Sequence, residues 1–234
     1  MSDRWALHID VEGFGVKWDD TMEAFRGLNA LMQGIFWIGD RAYREPPDRL
    51  FAHQFGDGFL VVGDFHEAKL GRAVLVGIAL LRHVLSQGAV AKAAIAEGEL
   101  SDIVGCYPPE IRKQPDREHI IFGSGVMTVF PVMGTALINT VTLDKRSPSG
   151  PLLTASAADR HRLPSDVRLS SADDGVLCLN WLLAEPSGLA ELQSAAGMSR
   201  HSESERVAQL RTYIAANEGL GKQWKDNAER YLLQ

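Results

Sequence analysis

The chain has 234 residues, 45% of them hydrophobic, and a formal net charge of −6. That length suits one domain with an extension, and the acidic balance argues against non-specific attraction to nucleic acid or to anionic lipid. Cys106 and Cys178 are too few for a disulfide framework or a thiolate zinc site and suit a reducing cytoplasm. The start MSDRWALHID lacks the parts of a signal peptide, and the apolar run Ala73 to Leu81, broken by Gly77, is too short to span a membrane.

The first element is a strand, Trp5 to Val11, that runs into a glycine turn. Leu7, Ile9 and Val11 alternate with Ala6, His8 and Asp10, so Asp10 shares the second face and needs a positive partner if buried. Gly13 and Gly15 flank Phe14 in a bend whose backbone N–H groups suit an anion, although Phe14 also reads as a lid on the core. Asp19-Asp20-Thr21 opens a helix in which Met22, Phe25, Leu28 or Asn29, Met32 and Ile35-Phe36 recur at helical spacing and are expected to face the core, and Gly39-Asp40 is expected to stop it. Arg41, Arg44 and Arg49 surround a loop at Pro46-Pro47 and read mainly as a solvated face.

LFAHQF (50–55) and FLVV (59–62) form two strands joined by Gly56-Asp57-Gly58, a strong hairpin signal. Alone, Asp57 is a turn-former. Together with Asp10 it becomes half of a carboxylate pair able to share one or two divalent ions roughly 3.5–4 Å apart. Asp64-Phe-His-Glu67 has capping-box spacing, which predicts a helix from there to about Gln87. That helix is apolar on most sides, so it belongs in the core or in a subunit interface.

A strand follows over Ala89 to Glu97, then an irregular polar excursion containing Arg112, Lys113 and Arg117. His119 to Val132 is strand-rich around Gly123-Ser124-Gly125, Thr135 to Lys145 is helical, and Leu152 to Ala155 and Val176 to Leu183 close the sheet. Ser202-Glu-Ser-Glu205 caps a further helix, and a last segment holds Trp224, Tyr231 and Leu232. The order of elements predicts an α+β domain, a mostly antiparallel sheet covered by helices, over residues 1–185, with a C-terminal helical extension over residues 186–234.

Four segments carry a resemblance to one family. Asp10-Val-Glu-Gly-Phe-Gly15 resembles the metal-binding strand and turn of class III nucleotidyl cyclases, and Phe55-Gly56-Asp57-Gly58 resembles the hairpin between their second and third strands. Lys92-Ala-Ala-Ile-Ala-Glu-Gly-Glu99 resembles the next strand, and Phe130-Pro-Val-Met-Gly134 with Leu143-Asp144 resembles their later strand-helix segment. The matches keep family order over roughly residues 5–180. The resemblance implies a ferredoxin-like palm and a homodimer with shared active sites.

It also implies catalysis at two Mg²⁺ or Mn²⁺ ions held by Asp10, Asp57 and the backbone carbonyl of Val11, with Gly13, Phe14 and Gly15 on the phosphates. Arg112, Lys113 and Arg117 become candidates for the triphosphate, against a plain surface-loop role. Where the family reads the base, this sequence has His53 and Pro131; the usual purine-reading pair is absent, and proline offers no donor. His53 is therefore the candidate base contact, with packing on the sheet as the alternative. The transition-state positions fall on Ile138 and Thr142. Asn139, with Lys145 or Arg146, is the candidate replacement, unless the site is degenerate.

Among class III cyclases, the chain is most similar to the stand-alone pyrimidine cyclases of the bacterial Pycsar antiphage system. That likeness implies cyclisation of a pyrimidine nucleoside triphosphate, UTP favoured, to a second messenger for a separate effector. A divergent adenylate cyclase and an inactive dimerisation or nucleotide-sensing module are the alternatives. The helix near 66–87 and the C-terminal extension are expected to bury a two-fold interface.

Overall fold

The structure is a computed structural model that describes residues 3–13, 21–116, 118–172 and 175–234. Strand β1 (Arg4–Val11) lies inside a seven-stranded sheet. It pairs antiparallel with β3 (Gly58–Gly63) on one side and with β4 (Ala91–Gly98) on the other. β2 (Leu50–Phe55) completes the hairpin with β3, and Gly56 at φ +64° makes the tight turn. Beyond β4, β9 (Leu153–Ser156) adds the sheet's parallel pairing, followed by β11 (Val176–Leu179) and the edge strand β10 (Leu169–Ser171). The fold is α+β with a sheet dominated by antiparallel pairs.

Both faces of the sheet are covered, so β1 is buried on each side. Trp5, Leu7, Ile9 and Val11 join the main core beneath α1 (Thr21–Trp37) and α2 (Gly71–Ser86). Ala6, with Leu60 and Val62, packs on the opposite face beside Leu100 and Ala136. The helix on that face is α4 (Thr135–Arg146), and it can sit close because β4 offers Ala94 and Ala96 there. Two glycines set the approach. A Cβ on Gly98 would lie 2.4 Å from the backbone N of Ala136, and one on Gly134 would lie 2.0 Å from the Glu99 carbonyl.

Between β4 and α4 run two short ladders. β5 (Ser101–Asp102) pairs with β8 (Val132–Met133), and β6 (His119–Phe122) pairs with β7 (Gly125–Thr128) as an outlying hairpin. A one-turn helix, α3 (Pro109–Arg112), lies before it.

Several local expectations change. α2 begins at Gly71 without a side-chain cap. Asp64 is instead held by Arg49 and Arg4, while Glu67 takes Arg72 and the Trp5 indole N–H. Two acids within reach of three arginines are drawn away from capping. Gly39-Asp40 does not stop α1, which continues through a π turn (Ile38–Ala42) that buries Ile38. Nor is Arg41 simply solvated, since it donates to the Ala196 carbonyl and lies over the Trp37 ring. The last strand ends at Leu179, where Asn180 caps a turn by accepting from the Leu183 N–H.

The apolar α2 is covered by its own chain, by α1, α5 (Leu189–Ala196) and α6 (Glu203–Ala216), rather than left for a second copy. The cap expected at Ser202 and Glu205 is present as a full capping box. α7 (Lys222–Ala228) follows, and Leu189, Leu210, Trp224 and Leu232 all share the main core with β1. Among the described residues no helix is long and apolar enough to cross a membrane.

Candidate active site

Asp10 lies near the end of β1, opposite Gly58 on β3 and Lys92 on β4. Asp57 occupies the tip of the β2–β3 hairpin, whose carbonyl accepts from the Val11 N–H at 3.4 Å. The second glycine of Gly-Asp-Gly has a specific reason. A Cβ on Gly58 would lie 2.9 Å from Asp10 Oδ1 and 2.9 Å from the Ile9 carbonyl, so any side chain there would displace the carboxylate.

The positive partner expected for Asp10 is not what meets it. Lys92 turns away onto α4, donating to the Asp144 carbonyl at 2.7 Å and pairing with its carboxylate at 3.3 Å. Asp10 has the Asp57 carboxylate as its neighbour instead. Burial, then the charges of Asp57, Asp144 and Glu12, push Asp10 up to about 7. Glu12 is also raised by burial and accepts from the Trp224 indole N–H at 2.7 Å, which ties the C-terminal segment to the site. His8, 3.9 Å from Asp144, is held below the usual imidazole range by burial.

This donor chemistry fits a hard divalent cation. A carboxyl raised by burial and by a second carboxylate beside it is poised to exchange its proton for a metal, and both side-chain donors are oxygens. Among the described residues no third His, Cys, Asp or Glu completes a protein-only metal cluster. Few protein ligands is the pattern for Mg²⁺ or Mn²⁺ sites that keep waters and take phosphate oxygens. Val11, the expected carbonyl ligand, is adjacent. Gly13 is an exposed turn residue at φ +76°, whereas Phe14 and Gly15 lie outside the described residues.

His53 and Pro131, distant in sequence, line one cavity of about 450 Å³. His53 stands on β2 in the row through Leu60 and His8, on the α4 face that also carries Asp10. Its ring meets Phe130 edge-on at 4.8 Å, and burial holds its pKa down against the pull of Glu118. Arg4, Asp64, Ser101, Asp102 and Glu118 supply the other polar groups of the wall.

Asn139 does not join Asp10 and Asp57 within the chain. Its amide donates to the Glu97 carbonyl at 2.7 Å, in a second cavity of about 550 Å³ shared with Thr142 and Arg146. Lys145 lies on another flank of α4, in an apolar groove with Phe130 and Ile138. Arg112 and Lys113 are exposed at the end of α3, and Arg117 lies outside the described residues. The Lys92–Asp144 pair and the Glu12–Trp224 bond were not anticipated as contacts. The first was accessible in principle, because pairing β1 with β4 places Lys92 opposite Asp10; nothing local in the sequence signals the second.

No protein-family model matches the sequence, and no curated protein matches it. Among solved structures, the chain is similar to the catalytic core of a rhodopsin-guanylyl cyclase with converted specificity in complex with ATPalphaS. The TM-score is 0.44 at 9% identity, covering 76% of this chain and 94% of that one. It is also similar to a bacterial light-regulated adenylyl cyclase, with a TM-score of 0.42 at 11% identity, over 83% of this chain and 55% of that one.

Proposed function

We propose that the protein is a nucleotidyl cyclase that converts a pyrimidine nucleoside triphosphate, UTP favoured, to its 3′,5′-cyclic monophosphate. The observation that carries this reading is the Asp10–Asp57 pair, two neighbouring carboxyls at the end of β1 of which Asp10 is raised, beside a glycine that leaves room for its carboxylate. Asp10, Asp57 and the Val11 carbonyl would hold two divalent cations, Mg²⁺ or Mn²⁺. When bound, such ions lower the pKa of the ribose 3′-hydroxyl and neutralise the departing phosphates. In the reaction the 3′-oxygen bonds to the α-phosphorus, the bond from that phosphorus to the α–β bridging oxygen breaks, the hydroxyl proton passes to water, and the bridging oxygen leaves with pyrophosphate.

The chain's own groups bind and orient. Backbone N–H groups of the turn at Gly13, Phe14 and Gly15 take the phosphates. His53 faces the base from the cavity wall, where Pro131 leaves no donor at the position that reads purines in the resembling family. Asn139 serves the site of a second copy, so two chains form a homodimer with two equivalent shared sites. Its product would act as a second messenger on a separate effector in antiphage defence, as the resemblance to stand-alone pyrimidine cyclases implies.

A second reading has its own support. Thr142 replaces the arginine of the resembling family and the Asn139 amide is engaged with Glu97, as a non-catalytic nucleotide-sensing module would allow. Incubating the purified protein with each of the four nucleoside triphosphates and Mn²⁺, followed by mass spectrometry, separates the two. Cyclic UMP or cyclic CMP as the main product supports the proposal. A purine cyclic product overturns the base assignment, and no product from any nucleotide supports the sensing module.

A further inference from the structure

On the opposite side of the sheet from α4, two arginines are buried together. Arg82 on α2 and Arg206 on α6 are 5% and 4% exposed, and both pair with Glu185, at 3.1 Å and 2.8 Å. One carboxylate, itself half in solvent, faces two guanidinium groups. Burial and the neighbouring Arg206 bring Arg82 down to about 10, as expected where positive charge is in excess.

The hydrogen-bond inventory leaves donors over. Arg82 donates to the carbonyls of Trp181, Leu182 and Ala184 and to Glu185. Arg206 donates to the carbonyls of Leu182 and His201 in addition to its ion pair. A guanidinium carries five N–H groups, so among the described residues Arg82 keeps one on Nη1 and Arg206 keeps one on each Nη. Both line a cavity of about 380 Å³ with Gln193, Arg200 and His201, where Glu203 and Glu185 are the acidic groups. Gln193 is only 4% exposed, and its side chain has no hydrogen-bond partner among the described residues. Its amide opens onto the cavity, where it can bond a ligand.

We propose that this cavity binds a phosphate group, received by the remaining N–H donors of Arg82 and Arg206, the Gln193 amide and the Arg200 guanidinium. Planar arginine donors match phosphate oxygens in pairs, and a dianion offsets the excess buried positive charge. The cavity volume is at the small end of the ligand range, which suits phosphate itself or the monoester of a small metabolite. The site lies across the sheet from the face that carries Asp10 and does not depend on the cyclase reading.

The test is calorimetric titration of metal-free protein with inorganic phosphate, and separately with glycerol 3-phosphate, at ionic strength matched with KCl. The variants are Arg200→Ser, whose side chain is exposed, and Gln193→Leu, which keeps the volume and removes the amide. Saturable phosphate binding weakened at least about tenfold in both variants is expected, since each loses a charged or buried hydrogen bond. Tighter binding of glycerol 3-phosphate would identify an esterified ligand, and tighter binding of inorganic phosphate the free ion. Absence of saturable binding of either probe, or wild-type affinity in either variant, would overturn the proposal.

Discussion

The Asp57 carboxylate stands beside Asp10 and raises it, while Lys92, directly opposite Asp10 in register, is turned onto Asp144. The structure thus places acid beside acid and keeps the nearest ammonium group occupied elsewhere. A proton or a cation at Asp10 relieves the repulsion within such a pair.

The first prediction concerns pH in the metal-free protein. Asp10 is raised from 3.8 to about 7, so the folded state holds a proton that the unfolded chain loses near pH 4. Stability therefore falls as pH rises from about 4 through about 7, and the loss is complete above that. Asp57→Asn removes one source of repulsion and should raise the melting temperature at pH 8.5 by at least ~2 °C, the shift that ~1 kcal/mol produces in a chain of this size. At pH 5 the gain should shrink. Melting curves in chelator decide this, and a variant less stable than wild type at both pH values would contradict it.

Gly56 and Gly58 should fail differently. Gly56→Ala meets no atom but must adopt φ +64°, costing about 1 kcal/mol with little effect on metal binding. Gly58→Ala forces its Cβ against Asp10 Oδ1 and the Ile9 carbonyl, costing about 1–3 kcal/mol and moving the carboxylate. Mn²⁺ affinity should fall in the second variant alone. Equal affinities in the two would show that the close approach of Gly58 to Asp10 is immaterial.

His53→Ala should flatten selectivity among the four nucleotides rather than lower all four rates together. Losing one hydrogen bond to the base costs about 0.5–1.5 kcal/mol, roughly a twofold to thirteenfold fall in kcat/KM for the preferred nucleotide. Equal proportional losses for all four would mean that His53 only packs against Phe130.

Shared sites predict complementation. Asp57→Asn and Asn139→Ala should each be inactive as homodimers, and mixing them should restore about a quarter of wild-type activity through hybrid dimers with one intact site. A mixture as inactive as its components would place Asn139 outside the partner's site.

Much of this was readable in advance where the cause is local. The β2–β3 hairpin follows from Asp-Gly between apolar runs, and the α6 cap from Ser202 and Glu205 three residues apart. Long-range attraction defeated the same rule at Asp64 and Glu67, because Arg49, Arg4 and Arg72 come from other elements. The apolar character of α2 was legible, but which helices cover it depends on α5 and α6 folding back, over a hundred residues later. At the site, the motif placed Asp10 and Asp57 together. The diversion of Lys92 to Asp144 depends on how closely α4 approaches β4 through Gly98 and Gly134, a matter of packing.

The most direct measurement is Mn²⁺ binding followed by electron paramagnetic resonance, in wild type and in Asp10→Asn and Asp57→Asn, with and without UTP. The account predicts that wild type removes the free Mn²⁺ signal at stoichiometric protein and UTP. It also predicts that each variant, still folded by circular dichroism, weakens binding at least about tenfold, the loss of one charged ligand at ~1.4 kcal/mol or more. Undiminished Mn²⁺ binding by either folded variant would contradict the assignment of this pair as the metal site.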